Sequence, residues 1–109
     1  MVAMNDIQTV VDRIAETYDP QRVVLFGSHA RGTATSDSDV DLLVILAFEG
    51  KPFWKSIEIA NLVNPTFAMD LLARRPDDTQ RRYAQGDPLI REALDQGRVL
   101  CERSRSRVD

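Results

Sequence analysis

Two aspartates with one residue between them, Asp39 and Asp41, stand at the head of an apolar run, Leu42 to Ala47. In an extended chain, residues two apart point to the same side, with Cα atoms about 6–7 Å apart. Both carboxylates then converge on one small volume. Two like charges so close repel each other and need a compensating cation. Hard oxygen ligands of this kind suit Mg²⁺, which is usually held by one or two carboxylates plus substrate phosphates. Leu43 and Ile45 continue the aspartate face, while Val40, Leu42, Val44 and Leu46 fill the other. The expected strand is thus apolar except at the end that carries the pair, and that end adjoins a polar loop, Thr33 to Ser38.

Gly27-Ser28 stands ten residues before the pair. It follows the short apolar run Arg22-Val23-Val24-Leu25-Phe26 and precedes a brief helix, Ser28 to Arg31. A strand that runs into a glycine, a serine and a helix start presents backbone N–H groups to an anion. Gly27 lets a phosphate approach the main chain, and Ser28 adds a hydroxyl donor. One element would hold a triphosphate while the next strand supplies its metals. Two metals about 3.5–4 Å apart would clamp the attacking and leaving oxygens of an in-line displacement. A lone Asp-x-Asp or a lone Gly-Ser carries little weight. Four fixed letters at this spacing arise by chance in about one chain of this length in a thousand.

Several elements must position these residues. The spacing of Ile7, Val10, Val11 and Ile14 predicts a helix over 5–17, with Asn5 or Asp6 as its cap and Asp19-Pro20 as its end. Strands are expected over 22–26, 39–47 and 66–73, and a last short one over 98–102. Helices are expected over 54–63, with Trp54, Ile57, Ile59 and Leu62 mostly inward, over 76–85, and from Pro88 to a glycine cap at Gly97. The order α-β-α-β-α-β-α-α-β indicates an α/β fold, a small mixed sheet with flanking helices. Residues 1–103 are read as a single domain and 104–109 as a disordered tail.

The chain has 109 residues, 43% hydrophobic and 28% charged, as in an ordinary globular protein. No apolar run approaches the ~20 residues that span a bilayer, and the N-terminus lacks the pattern of a secretory signal. The single cysteine, Cys101, fits a reducing cytoplasm and is read as a small core residue. The net charge of −3 argues against nucleic acid as the main partner.

The stretch GSHARGTATSDSDVDLLV resembles the minimal nucleotidyltransferases, the MNT-domain proteins of the DNA polymerase β superfamily, whose signature is Gly-Ser, ten residues, Asp-x-Asp. The resemblance covers the whole chain. It implies a polymerase β palm-like fold and Mg²⁺, two ions, bound by Asp39 and Asp41. It also implies a third carboxylate on a later strand, for which Asp70 in FAMDLLA fits as both metal ligand and catalytic residue. A carboxylate on an otherwise apolar strand is costly if buried without a partner, which independently argues that Asp70 faces the metals. Gly27, Ser28 and Arg31 would meet the nucleotide. For Arg31 two roles stay open, neutralising the triphosphate or pairing with a carboxylate to hold the loop.

Many members of the family are antitoxins that transfer AMP from ATP to a tyrosine of a helical HEPN-type toxin. The length of this chain leaves no room for a second acceptor-binding domain, so the resemblance implies a separate protein as acceptor. The rival expectation is a non-catalytic antitoxin that acts by occlusion. His29 falls at a variable position and is read as an exposed loop residue. Asp37 is read as a loop cap, and Trp54 as core or partner interface. Arg74, Arg75, Arg81 and Arg82 are read as solvated helix charge, with contact with an acidic partner or RNA as the alternative.

Overall fold

The computed structural model describes residues 2–103. The expectation of a disordered tail over 104–109 lies outside the described residues. The elements follow the anticipated order. They are α1 (Met4–Tyr18), β1 (Arg22–Phe26), α2 (Ser28–Arg31), β2 (Val40–Ile45), α3 (Pro52–Val63), β3 (Met69–Arg74), α4 (Pro76–Ala84), α5 (Pro88–Gln96) and β4 (Arg98–Glu102).

The strands form one mixed sheet in the order β3-β2-β1-β4. β1 runs antiparallel to β2 and β4, and β2 runs parallel to β3. A parallel pair needs a crossover, which α3 supplies. Helices cover both faces, so the strands are apolar on both sides. On one face Val10, Val11 and Ile14 of α1 and Ile59 and Val63 of α3 pack on Leu25, Leu42 and Val44. On the other, Ile90 and Ala93 of α5 pack on Val24, Phe26, Leu43 and Ile45. The division of β2 into two faces is the one its alternation predicts.

Several local expectations are corrected. α1 starts at Met4 with Ala3 as its N-cap, and Asn5 and Asp6 lie inside the helix. Asp6 still serves this end, because its carboxylate accepts from the Ala3 N–H at 3.4 Å. α3 begins two residues early, at Pro52, and buries Ile59 and Val63. Trp54 is 63% exposed, and Ile57 and Leu62 also face outward. The contact stripe runs through Ser56, Ile59 and Val63, a three- and four-residue spacing that the other apolar positions do not share. β2 and β3 are shorter than expected, and β3 starts three residues late, at Met69.

Gly97 is not a left-handed cap, because its backbone is extended. It is a glycine because α5 turns into β4 against the sheet. A Cβ there would overlap Ala93 O and lie 2.6 Å from Val24 Cγ1 and 2.8 Å from Leu25 O. α5 is capped at its other end by Asp87, whose carboxylate accepts from the N–H groups of Leu89 and Ile90.

Candidate active site

The C-terminal end of β1 and the N-terminal ends of β2 and β3 meet at one edge of the sheet. Phe26 pairs with Asp41 across the antiparallel ladder, and Asp41 lies level with Asp70 across the parallel one. Residues level with each other in adjacent strands share a face, so the two carboxylates stand side by side on the α5 side of the sheet.

Gly27 follows at once, with φ 74° and ψ −155°. This region is essentially open to glycine alone. A Cβ at this position would overlap Asp41 Oδ2 and sit 3.2 Å from Asp41 Cγ. The glycine therefore does two things. It turns the chain from β1 into α2, and it lets the Asp41 carboxylate lie against the backbone of that turn. The Gly27 carbonyl accepts from Ala30 and Arg31 N–H at 3.1 Å, which closes the single turn of α2.

A cleft of about 510 Å³ opens here, lined by Gly27, Ser28, Arg31, Asp41, Asp70 and, from α5, Leu89 and Glu92. Asp39 precedes β2 by one residue. It is exposed and stands at the rim, outside the cleft lining. The structure thus brings Gly27, Ser28, Arg31, Asp41 and Asp70 together and leaves Asp39 beside them. Burial raises the Asp41 pKa above the ordinary aspartate value, and the charges of Asp70, Asp39 and Glu92 raise it further, with His29 opposing them. Among the described residues no lysine or arginine forms an ion pair with Asp39, Asp41 or Asp70. The carboxylates are thus gathered at one end of the sheet without an ion-pair partner, and the one arginine of the cleft, Arg31, is turned to Glu92.

Asp70 is exposed at the start of β3, so the burial argument that placed it at the site does not apply. Its place comes from the strand register instead. Arg31 makes an ion pair with Glu92 at 2.6 Å, with side chains 47% and 35% exposed. Glu92 is the site residue that sequence reasoning missed. It lies three positions after Leu89 on α5, and nothing in the local pattern says that this helix packs across Gly27.

His29 lies in α2 and is half-buried, not an exposed loop residue. Its Nε2 is 3.3 Å from the Ser38 carbonyl, which ties α2 to the end of the polar loop. The loop is fastened by Ser38, whose Oγ accepts from the Thr35 N–H at 2.9 Å, and this is the role expected of Asp37. Cys101 is half-buried at the margin of the core.

The basic segment is largely paired. Arg81 and Arg82 both bind Asp78, and Arg82 also reaches Asp87 at 3.3 Å. The Arg75 guanidinium stacks on Phe48 at 4.5 Å and donates to the Gly50 carbonyl. Neither Arg74 nor Arg75 forms an ion pair among the described residues, and Arg74 alone of the four has a buried nitrogen, Nε, without a hydrogen-bond partner there.

The model of the nucleotidyltransferase domain matches residues 7–100. No curated protein matches the chain. A solved structure from Sulfolobus solfataricus, assigned to the nucleotidyltransferases, is similar at 17% identity and TM-score 0.65, covering 92% of this chain and 80% of that one. A toxin–antitoxin structure with AMP-PNP is similar at 21% identity and TM-score 0.57, covering 96% and 77%. The complex of a tri-AMPylated Shewanella oneidensis HEPN toxin with its MNT antitoxin is similar at 17% identity and TM-score 0.54, covering 91% and 71%. These likenesses are of fold. The match over most of the chain, on a sheet edge that carries Gly27-Ser28 and paired carboxylates, shows that the chain belongs to the nucleotidyltransferase-domain family.

Proposed function

We propose that the chain transfers AMP from ATP, with Mg²⁺, to a tyrosine hydroxyl of a HEPN-type toxin and acts as its antitoxin in the cytoplasm. The observation that carries this reading is the level pairing of Asp41 with Asp70 beside the Gly27 turn. The similar structures add that this fold occurs in toxin–antitoxin complexes, one with AMP-PNP and one with an AMPylated toxin.

The residues fit a divalent metal. Burial and then the neighbouring carboxylates Asp70, Asp39 and Glu92 raise the Asp41 pKa, with only His29 opposing them. Asp41 and Asp70 stand level on adjacent strands, and Mg²⁺ takes one or two carboxylates and completes its shell with phosphate oxygens and water. Asp39, Asp41 and Asp70 would hold it, and two ions would complete the set. When bound, it would neutralise the charge that develops on the transferring phosphoryl group.

The chain's own groups supply the rest. The Gly27 turn and the Ser28 hydroxyl hold the phosphates, and Arg31 turns from Glu92 to the triphosphate as ATP enters. Asp70 accepts the proton of the attacking hydroxyl. The oxygen–phosphorus bond forms at the α-phosphate, the α–β anhydride bond breaks, and pyrophosphate leaves. The rival is occlusion without chemistry. The clustered carboxylates favour the enzyme, since a surface kept only for binding gains nothing from repelling charges.

The test incubates the chain, ATP and Mg²⁺ with the protein encoded beside its gene and reads intact masses. The expected result is a gain of one or more AMP units on that protein, mapped to tyrosine and abolished by chelation. A tight complex with no change in mass would establish occlusion instead.

A further inference from the structure

A second depression, of about 480 Å³, runs along the outer edge of the sheet between α3 and β3. β3 is the last strand on this side. The walls are apolar, with Phe53 and Ile57 from α3 and Leu71 and Leu72 from β3. Asp70, Leu71 and Leu72 also line the nucleotide cleft, so the two depressions join at Asp70. Phe53, 63% exposed, stands edge-to-face with the equally exposed Trp54, their ring centres 5.0 Å apart. Ser56 Oγ accepts the Ala73 N–H at 2.9 Å, so at this point the strand edge is closed to an added strand. An occupant must seat through its side chains.

Arg74 and Arg82 close the far end of the groove. Arg82 is already held by Asp78 and Asp87. Arg74 is half-buried, its Nη1 donates only to the neighbouring Ala73 carbonyl, and its buried Nε has no hydrogen-bond partner among the described residues. A part-buried guanidinium with an unmet donor favours an incoming anion. The groove therefore has a carboxylate at one end, is apolar along its length and offers a guanidinium with an unmet donor at the other.

We propose that this groove is where the acceptor protein docks, with an apolar or aromatic side chain against Phe53 and Ile57, a carboxylate on Arg74 and the modified hydroxyl at Asp70. The proposal rests on the transfer reading above. Asp70 and Arg74 are four positions apart in one strand, which separates the two anchor points by about 13 Å. The triphosphate is not the partner of Arg74. The residues that would cradle it, Gly27, Ser28 and Arg31, line the cleft on the other side of Asp70 and do not line the groove. The acceptor is thus read by an acidic residue at that distance from its hydroxyl.

The experiment measures four quantities for the whole chain with the protein encoded beside its gene. They are the binding constant for that protein, the KM and kcat of its modification, and the affinity for ATP with Mg²⁺. Arg74→Gln should weaken binding and raise KM for the acceptor about 30-fold or more, as for a charge pair that loses one member, while kcat and ATP affinity hold. Phe53→Ser, at a position too exposed to endanger the fold, should act in the same direction. Acidic residues of the acceptor are changed to alanine in turn. One should reproduce the loss and add nothing further when combined with Arg74→Gln. Unchanged acceptor binding in Arg74→Gln overturns the proposal, and so does a loss of ATP affinity with acceptor binding intact. A wild-type chain that binds the acceptor without modifying it overturns the transfer reading alone, and the effect of Arg74→Gln on the binding constant still decides the groove.

Discussion

Replacing Gly27 with alanine tests the Gly27–Asp41 contact from both of its sides. The backbone at Gly27 lies at φ 74° and ψ −155°, where an L side chain is strained. Holding alanine there costs about 1–3 kcal/mol. The added Cβ would also overlap Asp41 Oδ2, with Cγ only 3.2 Å away. That overlap is relieved most cheaply by turning the carboxylate off its rotamer, at about 0.5–1.5 kcal/mol. Together the two effects give roughly 2–4 kcal/mol. With unfolding entropy near 2.1 cal/mol/K per residue, the 109-residue chain loses about 4.4 °C of melting temperature per kcal/mol. The expected fall is therefore about 9–18 °C. Calorimetric melting measures it, and titration of ATP with Mg²⁺ should show a parallel loss of affinity as Asp41 swings away. The double variant Gly27→Ala/Asp41→Ala separates the causes, because it removes the overlap and keeps the backbone strain. A Gly27→Ala chain that melts within about 2 °C of the wild type and binds ATP normally would refute this account of the turn.

Asp41→Asn tests the raised pKa. The folded state holds this proton more tightly than the unfolded chain, so ionised Asp41 costs stability above its folded pKa, and the cost disappears as the pH falls through it. The variant should melt above the wild type at neutral pH, by less than about 1 kcal/mol because the half-buried carboxylate is still screened by solvent, and the gap should close in acid; thermal melts across pH check it, and a constant gap contradicts it. The same variant should lose transfer by several kcal/mol in barrier if its carboxylate holds the metal, as single-turnover rates would show. Asp70→Asn should lower the transfer rate more than ATP affinity, since a proton acceptor acts only once the hydroxyl attacks. A normal rate at saturating ATP would reduce Asp70 to a ligand or a structural residue. Glu92→Gln should tighten ATP binding several-fold, because it frees Arg31 from the 2.6 Å ion pair and removes a charge facing Asp41. Weaker binding by titration would mean that Arg31 serves the loop and not the triphosphate.

The sequence carries the local half of this site. Asp41 is legible because a strand alternates, and Gly27-Ser28 because an apolar run ends on it. The two faces of β2 follow from the same alternation. What the residues alone do not reveal depends on pairs far apart in the chain. Asp70 meets Asp41 through a parallel register, whereas its expected burial proved to be the wrong argument. Glu92 arrives on a helix whose packing angle leaves no local trace. The outward face of α3 was hidden for a related reason: Trp54 and Ile57 are as apolar as Ile59, and only the seat of the helix on the sheet decides which side is covered. Gly97 was read by its usual role at helix ends, and its actual reason is a neighbour from another strand.

The bond from Ala73 N–H to Ser56 Oγ lies well away from the chemistry, yet it acts as an index mark for it. β2 and β3 could in principle slide past each other, since both are short and aliphatic. A slip of one residue would turn Asp70 to the opposite face of the sheet and offer Met69 or Leu71 to Asp41 in its place. Ser56 sits on the crossover helix and grips one strand position, so the connection that carries the chain between the strands also sets their alignment. Damage at such a position would mimic loss of Asp70 from the cleft while every carboxylate remained in the chain. An inactive Ser56 variant with intact carboxylates is better read as a misaligned instrument than as a broken one.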